Sequence, residues 1–333
     1  MGLSSVASPW WWAGFGALVL ALLALDLGVF HRRDQAMTPR QALAWSGFWI
    51  ALALLFGVGV FLRFGAERGE EFLAGYLVEY SLSVDNLFVF VAVFGALRIP
   101  AALQRRVLFW GILSALVLRA AMILAGAALL ERFHWLMYAF GGLLLLTGLK
   151  LWWRRREEAG AEAGPALRWV RRLVPSTPEL RGSAFLVREN GRWLATPLLL
   201  ALMAIEVADV VFAVDSIPAV FGVTRDPFIV FTSNVFAILG LRSLYFALAA
   251  LVDRFTHLKA GLALVLVFVG AKMVAAGWVK VPAAISLAVI TGILAAAVAA
   301  SLWRPRAARP AGPEGAGEPG GTGGSGRSRR EAA

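Results

Sequence analysis

The chain has 333 residues, of which 59% are hydrophobic and 16% are charged, and its mean hydropathy is +0.73. A soluble domain carries about a quarter charged residues, so this composition excludes a water-soluble globule and predicts a protein that crosses a membrane several times. The absence of cysteine excludes disulfides, thiolate metal sites and thiol nucleophiles. The net charge of +11 lies mostly in loops and the tail, which favours membrane orientation over nucleic-acid binding.

Nine apolar segments are long enough to cross about 30 Å of hydrocarbon as helices. They cover residues 10–30, 42–62, 72–97, 107–130, 135–153, 195–220, 228–251, 258–279 and 283–303. Because no segment outside them is large enough for an enzymatic domain, we expect an all-α polytopic membrane helical bundle over residues 1–303, and not an enzyme.

Two polar segments interrupt or follow the apolar ones. Residues 154–194 mix charged residues with Pro and Gly and predict a loop, with a hairpin turn at Glu189-Asn190-Gly191-Arg192. Residues 304–333 are rich in Gly, Pro, Ala and Arg and predict a disordered tail. Lys and Arg concentrate in alternate loops, including 154–194. By the positive-inside rule, the N-terminus lies outside the cell (inner) membrane, and the loop and the C-terminus lie in the cytoplasm.

The sequence contains an internal repeat. Residues 79–100 and 206–227 align without a gap, both begin with Glu, and both contain the block AVFGxxRxP. In the predicted topology the third and sixth spans run in opposite directions, so the two copies, at about 72–130 and 195–251, are inverted. Many secondary transporters are built from inverted repeats with a substrate site near the midplane. Duplication that only enlarged the bundle is the alternative.

Acidic residues lie within the apolar segments, where each costs roughly 2.5–3.5 kcal/mol on the insertion scale. The cations within the spans are Arg119, Arg242 and Lys272, and we interpret the two arginines as structural counter-ions. Five acids against three cations leave a formal charge of −2, which suits one divalent cation, or two protons in the empty site. The five acids are Glu79, Asp85, Glu206, Asp209 and Asp215.

Neutral oxygen ligands accompany these acids at Asn86 and Ser216. Oxygen ligands without thiolate or imidazole favour magnesium, calcium or manganese. On a regular helix Asp215 points about 180° away from Glu206, so we expect Pro218 to kink or unwind this turn and redirect the carboxylate. The predicted metal site consists of Glu79, Asp85, Asn86, Glu206, Asp209, Asp215 and Ser216.

These motifs are similar to those of the TerC family, the integral membrane proteins named for tellurium resistance. The resemblance covers residues 24–278, with LDLGVFH at 25–31, AWSGFW at 44–49, EYSLSVDN at 79–86 and a long match over 196–243. It implies a cation exporter of the LysE-like superfamily, with manganese as the expected cargo and no resident cofactor. It also implies that the five acids are the family's intramembrane carboxylates.

Two further functions stay open as alternatives. A membrane scaffold would recruit partners through the basic 154–194 loop and would use the acids as clamps between helices. A scaffold would need paired charges, however, and the acids outnumber the cations. This surplus favours a transporter driven by proton exchange or by the membrane potential. An intramembrane aspartyl protease would show a GxGD context, which the sequence lacks.

Overall fold

The structure, a computed structural model, describes residues 5–30, 38–153, 163–189, 191–249 and 258–303. The predicted tail and residues 154–162 of the predicted loop lie outside these ranges. The elements in chain order are α1 (Pro9–Phe30), α2 (Pro39–Phe64), α3 (Ala66–Ala96), α4 (Ala101–Arg132), α5 (Leu136–Trp153), α6 (Ala163–Leu173), β1 (Leu186–Glu189), β2 (Arg192–Ala195), α7 (Pro197–Phe221), α8 (Pro227–Leu239), α9 (Leu241–Ala249), α10 (Leu258–Ala275) and α11 (Ala283–Trp303).

The described residues form seven helical segments that are long and apolar enough to cross a membrane, which confirms the all-α polytopic bundle. The count is lower than the nine predicted spans. The first and eighth predicted spans are helical as well, as α1 over 22 residues and α10 over 18. The side chains of residues 26–30 and of Leu258 lie outside the described part of the chain, so the count of seven does not include these two helices. With 18 residues, α10 measures about 27 Å. The seven segments are Arg40–Phe64, Ala66–Ala96, Ala101–Arg132, Leu136–Trp153, Pro197–Phe221, Pro227–Ala247 and Ala283–Ser301.

This bundle has an apolar exterior as well as an apolar core. Large apolar side chains such as Leu55 and Leu146 point outward and are 67% and 69% exposed, whereas Glu79 and Arg119 are fully buried. Water would penalise such an apolar surface, but lipid does not. The buried charges must therefore find their partners inside the bundle.

The two copies of the repeat run in opposite directions. Glu71, near the beginning of α3, accepts a hydrogen bond of 2.7 Å from Thr224, which follows the end of α7. In contrast, α4 runs parallel to α7, because Ser114 contacts Glu206 and, about three to four turns later, Gly126 faces Phe221. Helix α3 packs against α8 while α4 packs against α7. The first copy contains α3 and α4, and the second contains α7 and α8. If the copies exchange places, the pair α3–α8 becomes the pair α7–α4 and the reverse, as an inverted repeat predicts.

The predicted span 228–251 is divided in the structure. Asp226 caps the beginning of α8 by accepting hydrogen bonds from the amides of Phe228 and Ile229. The helix stops at Leu239, and α9 begins after the single residue Gly240. A Cβ atom at this glycine would lie 3.4 Å from Cβ of Trp49. The interruption therefore lies beside α2, in ordinary van der Waals contact with Trp49.

Helices α5 and α10 pack through glycines. A Cβ atom at Gly148 would lie 2.9 Å from the carbonyl oxygen of Ala263, and one at Gly270 would lie 2.8 Å from that of Gly141. Membrane helices approach closely where small residues meet. These glycines thus join the fifth predicted span to α10.

The predicted loop contains more regular structure than its composition indicates. The hairpin is confirmed, with Glu189 opposite Arg192 and Gly191 at a φ of 79°. The sequence interpretation missed α6, which buries Leu167 and Val170 and packs against α7. Its apolar residues occupy one face, which is sufficient for docking on the bundle.

Candidate functional site

Arg119 on α4 is the centre of the candidate site. Its guanidinium donates to both carboxylate oxygens of Asp209 on α7, with Nη2–Oδ1 at 2.6 Å and Nε–Oδ2 at 3.2 Å. Its Nη1 donates to Oε1 of Glu79 on α3. The planar guanidinium suits this two-pronged contact. One cation thus joins three helices and both copies of the repeat.

The charged side chains at this centre are almost completely buried from solvent. Arg119 and Glu79 are 1% and 0% exposed, and Asp209 is 6% exposed. Buried ion pairs must offset a large desolvation cost, and removing one partner typically destabilises by about 3–5 kcal/mol. If both acids are ionised, one guanidinium leaves one negative charge uncompensated within this triad. The triad therefore has capacity for a further cation or a proton.

Two polar atoms beside Arg119 have no hydrogen-bond partner among the described residues. They are Oε2 of Glu79 and Nδ2 of Asn234 on α8. The other oxygen of Glu79 accepts from Ser83 Oγ at 3.3 Å, and Oδ1 of Asn234 lies 3.5 Å from Nη1 of Arg119. Orphaned buried polar atoms usually indicate a water, an ion or a proton.

A small cavity lies next to this triad. Its volume is about 20 Å³, room for about one water-sized occupant. Glu206 and Asp209 of α7 line it together with apolar residues of α3, α4, α8 and α9, and Ile238 and Leu241 flank the interruption at Gly240. The polar part of the wall is thus provided by two carboxylates.

Glu206 is held at the cavity by α4. Its Oε1 accepts a hydrogen bond of 2.6 Å from Ser114 Oγ, and a Cβ atom at Gly111 would lie 3.6 Å from the same oxygen. Glu206 is half-buried and forms no salt bridge with any residue that the structure describes. Among Glu79, Asp209 and Glu206, only Glu206 has no counter-ion among the described residues.

Asp215 lies on a different side of α7. Its Oδ1 accepts a hydrogen bond of 3.2 Å from Thr147 on α5. The expectation that Pro218 unwinds this turn is wrong, because α7 is continuous from Pro197 to Phe221. Pro218 cannot donate a hydrogen bond to the carbonyl of Val214, yet the helix continues through it for three more residues, so the turn that carries Asp215 stays helical. Ser216 is buried, with no partner for its hydroxyl among the described residues.

The remaining predicted residues are placed as follows. Asn86 is buried on α3, and Asp85 belongs to the same helix, but its side chain lies outside the described residues. Arg242 is buried at the beginning of α9. On α10, Lys272 donates to Ser286 of α11 at 2.9 Å. Glu79, Asp209 and Arg119 are therefore brought together, with Glu206 alongside, and Asp215 is not.

The described residues contain no group of three or more His, Asp or Glu side chains arranged to hold a metal ion. The predicted metal ligands do not form one cluster there, because Arg119 occupies the space between Glu79 and Asp209. The sequence interpretation missed Ser114, Asn234 and Gly111. Gly111 lies eight residues before Arg119, about 80° from it around α4, and Ser114 lies three residues after Gly111. This spacing on a helix is the signal that could have pointed to Gly111 and, next to it, Ser114.

A larger cavity, of about 230 Å³, lies at the ends of α4 and α7. Glu131, His134, Met137 and Arg225 line it together with apolar residues. None of the predicted site residues lies in its wall, so it is separate from the candidate site.

The fold and the site define a polytopic helical membrane protein with ion-paired charges inside a bundle of antiparallel repeats. The profile of the integral membrane protein TerC family matches residues 64–309, and the chain belongs to this family.

The chain is similar to several membrane proteins along nearly its whole length. It is 59% identical to the uncharacterized membrane protein STKORF319 of Myxococcus xanthus, over 91% of this chain and 95% of the relative. It is 46% identical to Alx of Escherichia coli strain K12, named as a proposed membrane-bound redox modulator, over 90% and 97%. It is 39% identical to an uncharacterized membrane protein of Rickettsia bellii, over 88% and 97%. No solved structure matches the chain.

Proposed function

We propose that this protein is a secondary transporter that exports a divalent cation, with manganese as the expected cargo. The bilayer is its medium, and no cofactor or nucleic acid is required. The metal binds through the carboxylates of Glu206 and Asp209 in the cavity beside Arg119. Protons or the membrane potential drive the cycle.

One observation carries this proposal: a cavity inside the bundle has two carboxylates in its wall, and one of them, Glu206, forms no salt bridge with the described residues. Carboxylate and hydroxyl oxygens are the ligands that manganese, magnesium and calcium prefer. An acid without a counter-ion inside a membrane bundle needs a cation or a proton. Ser114 adds a third oxygen at the same place.

The scaffold alternative explains the ion pairs of Arg119 with Glu79 and Asp209, but it does not explain Glu206. A clamp between helices requires balanced charges, which Arg119 supplies for Asp209 and partly for Glu79. Glu206 adds a desolvation cost and a hydrogen bond to Ser114 but forms no ion pair with the described residues, so the balanced charges of a clamp are missing. Redox modulation, the role in the name of Alx, would need a redox-active group other than a thiol in this chain, because it contains no cysteine. For the same reason, direct thiol chemistry on tellurium is not a source of tellurium resistance here.

The test is cation flux into proteoliposomes, measured separately for manganese, magnesium, calcium and zinc. Glu206→Gln keeps the size and the hydrogen bond of the side chain but removes its charge. Asp209→Asn also keeps the size and removes the charge, but it can accept only one of the two hydrogen bonds from Arg119. We expect manganese flux to disappear in both variants while membrane abundance of Glu206→Gln stays normal. Glu179→Gln, an exposed acid outside the spans, is the matched control and keeps full flux. Normal flux in Glu206→Gln would contradict the proposal.

A further inference from the structure

Helix α6 carries a second apolar stripe beside the face that packs on the bundle. Trp169 and Leu173 are four residues apart, so they share one side of the helix, and they are 55% and 57% exposed. Arg172 adjoins them, about 60° from Trp169 around the axis, and is exposed as well. Leu167 and Val170, in contrast, are buried against the bundle. Only one apolar side of α6 is therefore covered by the part of the chain that the structure describes.

The hairpin adds a similar patch. Leu186, Arg188 and Trp193 lie on one face of its two strands, because Arg188 is paired with Trp193 and side chains alternate along a strand. All three are exposed, and Trp193 is 64% exposed. The two patches form the α6–hairpin surface, which consists of Trp169, Arg172, Leu173, Leu186, Arg188 and Trp193.

The hairpin is attached to the bundle where two helices begin to cross the membrane. Arg106, in the second turn of α4, donates to Ser183 Oγ at 2.8 Å, and its guanidinium lies over the ring of Phe185, 5.3 Å from the centroid. Trp193 lies four residues before Pro197, where α7 and its apolar membrane-crossing segment begin. The hairpin therefore lies at the boundary of the bilayer.

Backbone contacts hold α6 and the hairpin together. The chain just after α6 pairs with the end of β2, because the amide of Ala195 donates to the carbonyl of Pro175 and the amide of Thr177 donates to the carbonyl of Ala195, both at 2.9 Å. Helix α6 also packs against α7 and α3. Both patches are thus fixed next to the same end of the bundle.

This segment has a positive charge that its own acids do not balance. Residues 163–189 and 191–195 contain six arginines and two glutamates. Both glutamates, Glu179 and Glu189, contact the same arginine, Arg181, at 3.0 and 3.3 Å. Arg172 and Arg188 form no salt bridge with any residue that the structure describes. Their charges are therefore available to an anion beside the exposed tryptophans.

We propose that the α6–hairpin surface binds the headgroups of anionic phospholipids, with the tryptophans and leucines at the headgroup level and Arg172 and Arg188 on the lipid phosphates. Tryptophan is enriched at membrane interfaces, and helices that lie in this plane combine Trp and Leu with basic residues. By the positive-inside assignment the lipids belong to the cytoplasmic leaflet, whose anionic lipids attract basic segments. The inference goes beyond the proposed transport function and does not rest on it.

The bilayer is the occupant that the geometry favours. With 11 residues, α6 measures about 16 Å, so it is too short to cross a membrane and suits a position along its surface. A cytoplasmic protein would have to reach apolar side chains that already lie beside the lipid. The bilayer reaches them without a further component, and its phosphates match the charge of the arginines.

The test uses the full chain, which contains no cysteine, so Leu173→Cys carries a single bimane label. The protein is reconstituted in phosphatidylcholine vesicles that contain brominated phosphatidylglycerol or the same amount of brominated phosphatidylcholine. Quenching of the label reports which lipid lies next to α6. We expect phosphatidylglycerol to quench more strongly, and the difference to shrink as salt screens the charges. Trp193→Cys, labelled in the same way, reports independently on the hairpin.

Arg172→Gln and Arg171→Gln form a matched pair in the labelled chain. Both remove one exposed arginine from α6, but Arg171 lies about 160° from Trp169 around the helix, whereas Arg172 lies about 60° from it. Arg172→Gln should lower the preference for phosphatidylglycerol by up to about fivefold, which corresponds to about 1 kcal/mol for a basic residue near a membrane surface. Arg171→Gln should leave the preference within about twofold of its original value.

Three results would overturn the proposal. Equal quenching by the two brominated lipids would exclude recognition of the anionic headgroup. An equal loss in Arg171→Gln and Arg172→Gln would show that net charge, and not this surface, attracts the lipid. A label that neither lipid quenches at both positions would show that the surface faces water, a protein partner or a second copy of the chain.

Discussion

Arg119 donates two hydrogen bonds to Asp209, at 2.6 Å from Nη2 and 3.2 Å from Nε, across the interface between α4 and α7. The same guanidinium reaches Glu79 on α3. The two acids belong to different copies of the repeat, so the contact fastens the copies to each other at the centre of the bundle. Any movement of one copy against the other must loosen it.

Replacing Arg119 should therefore destabilise the fold. Arg119→Leu leaves two buried carboxylates without a counter-ion, which costs about 3–5 kcal/mol. Arg119→Lys keeps the charge but loses the two-pronged contact, so its loss should be smaller. The measurement is the apparent melting temperature of the purified protein in detergent. Adding Glu79→Gln and Asp209→Asn to Arg119→Leu should recover part of the stability; no recovery would mean that the charges are not the cause.

Filling the small cavity should stop transport without unfolding the protein. The side chain of Gly111→Val would enter the space next to Oε1 of Glu206, which lies 3.6 Å from the position of its Cβ. Gly142→Val is the matched control, since a Cβ atom there meets nothing within 4 Å. Manganese flux should be lost in the first variant and kept in the second. Equal flux in both would place the cation elsewhere.

Packing between α5 and α10 should depend on its glycines. In Gly270→Ala the new Cβ atom would lie 2.8 Å from the carbonyl oxygen of Gly141 and 2.9 Å from the amide nitrogen of Leu145. Overpacking of this kind typically costs about 1–3 kcal/mol. Gly292→Ala has open space and should be neutral or slightly stabilising in a helix. Thermal unfolding of the two variants checks this, and equal stability would contradict the close packing.

The orientation in the membrane is open to direct labelling, because the chain has no cysteine. Arg181→Cys lies between α6 and β1, and Arg225→Cys lies between α7 and α8; both positions are exposed. An impermeant thiol reagent should label Arg225→Cys in intact cells and Arg181→Cys only after the inner face becomes accessible. Labelling of both from one side would contradict the positive-inside assignment.

Local sequence patterns predicted the helical bundle and the hairpin, since apolar segment length and the Asn190-Gly191 turn are properties of neighbouring residues. They did not predict the break at Gly240, because a single glycine inside an apolar segment is tolerated within a helix and does not by itself mark a helix end. The sequence interpretation also placed Asp215 in the site, because it expected Pro218 to unwind this turn of α7. The helix is continuous there. Which acid faces which arginine is decided by helix packing, so the contacts of Arg119 with Glu79 and Asp209 emerged only from the structure.

Titration calorimetry of the purified protein with manganese tests the central claim most directly. Carboxylate ligands must be deprotonated to bind metal, so binding should release protons and weaken as the pH falls. The measured heat should therefore differ between two buffers of different ionisation enthalpy, and it should vanish in the double variant Glu206→Gln, Asp209→Asn but not in Glu179→Gln. Heat that persists unchanged in the double variant, or no binding by the wild-type protein, would contradict the assignment of these two carboxylates as the cation site.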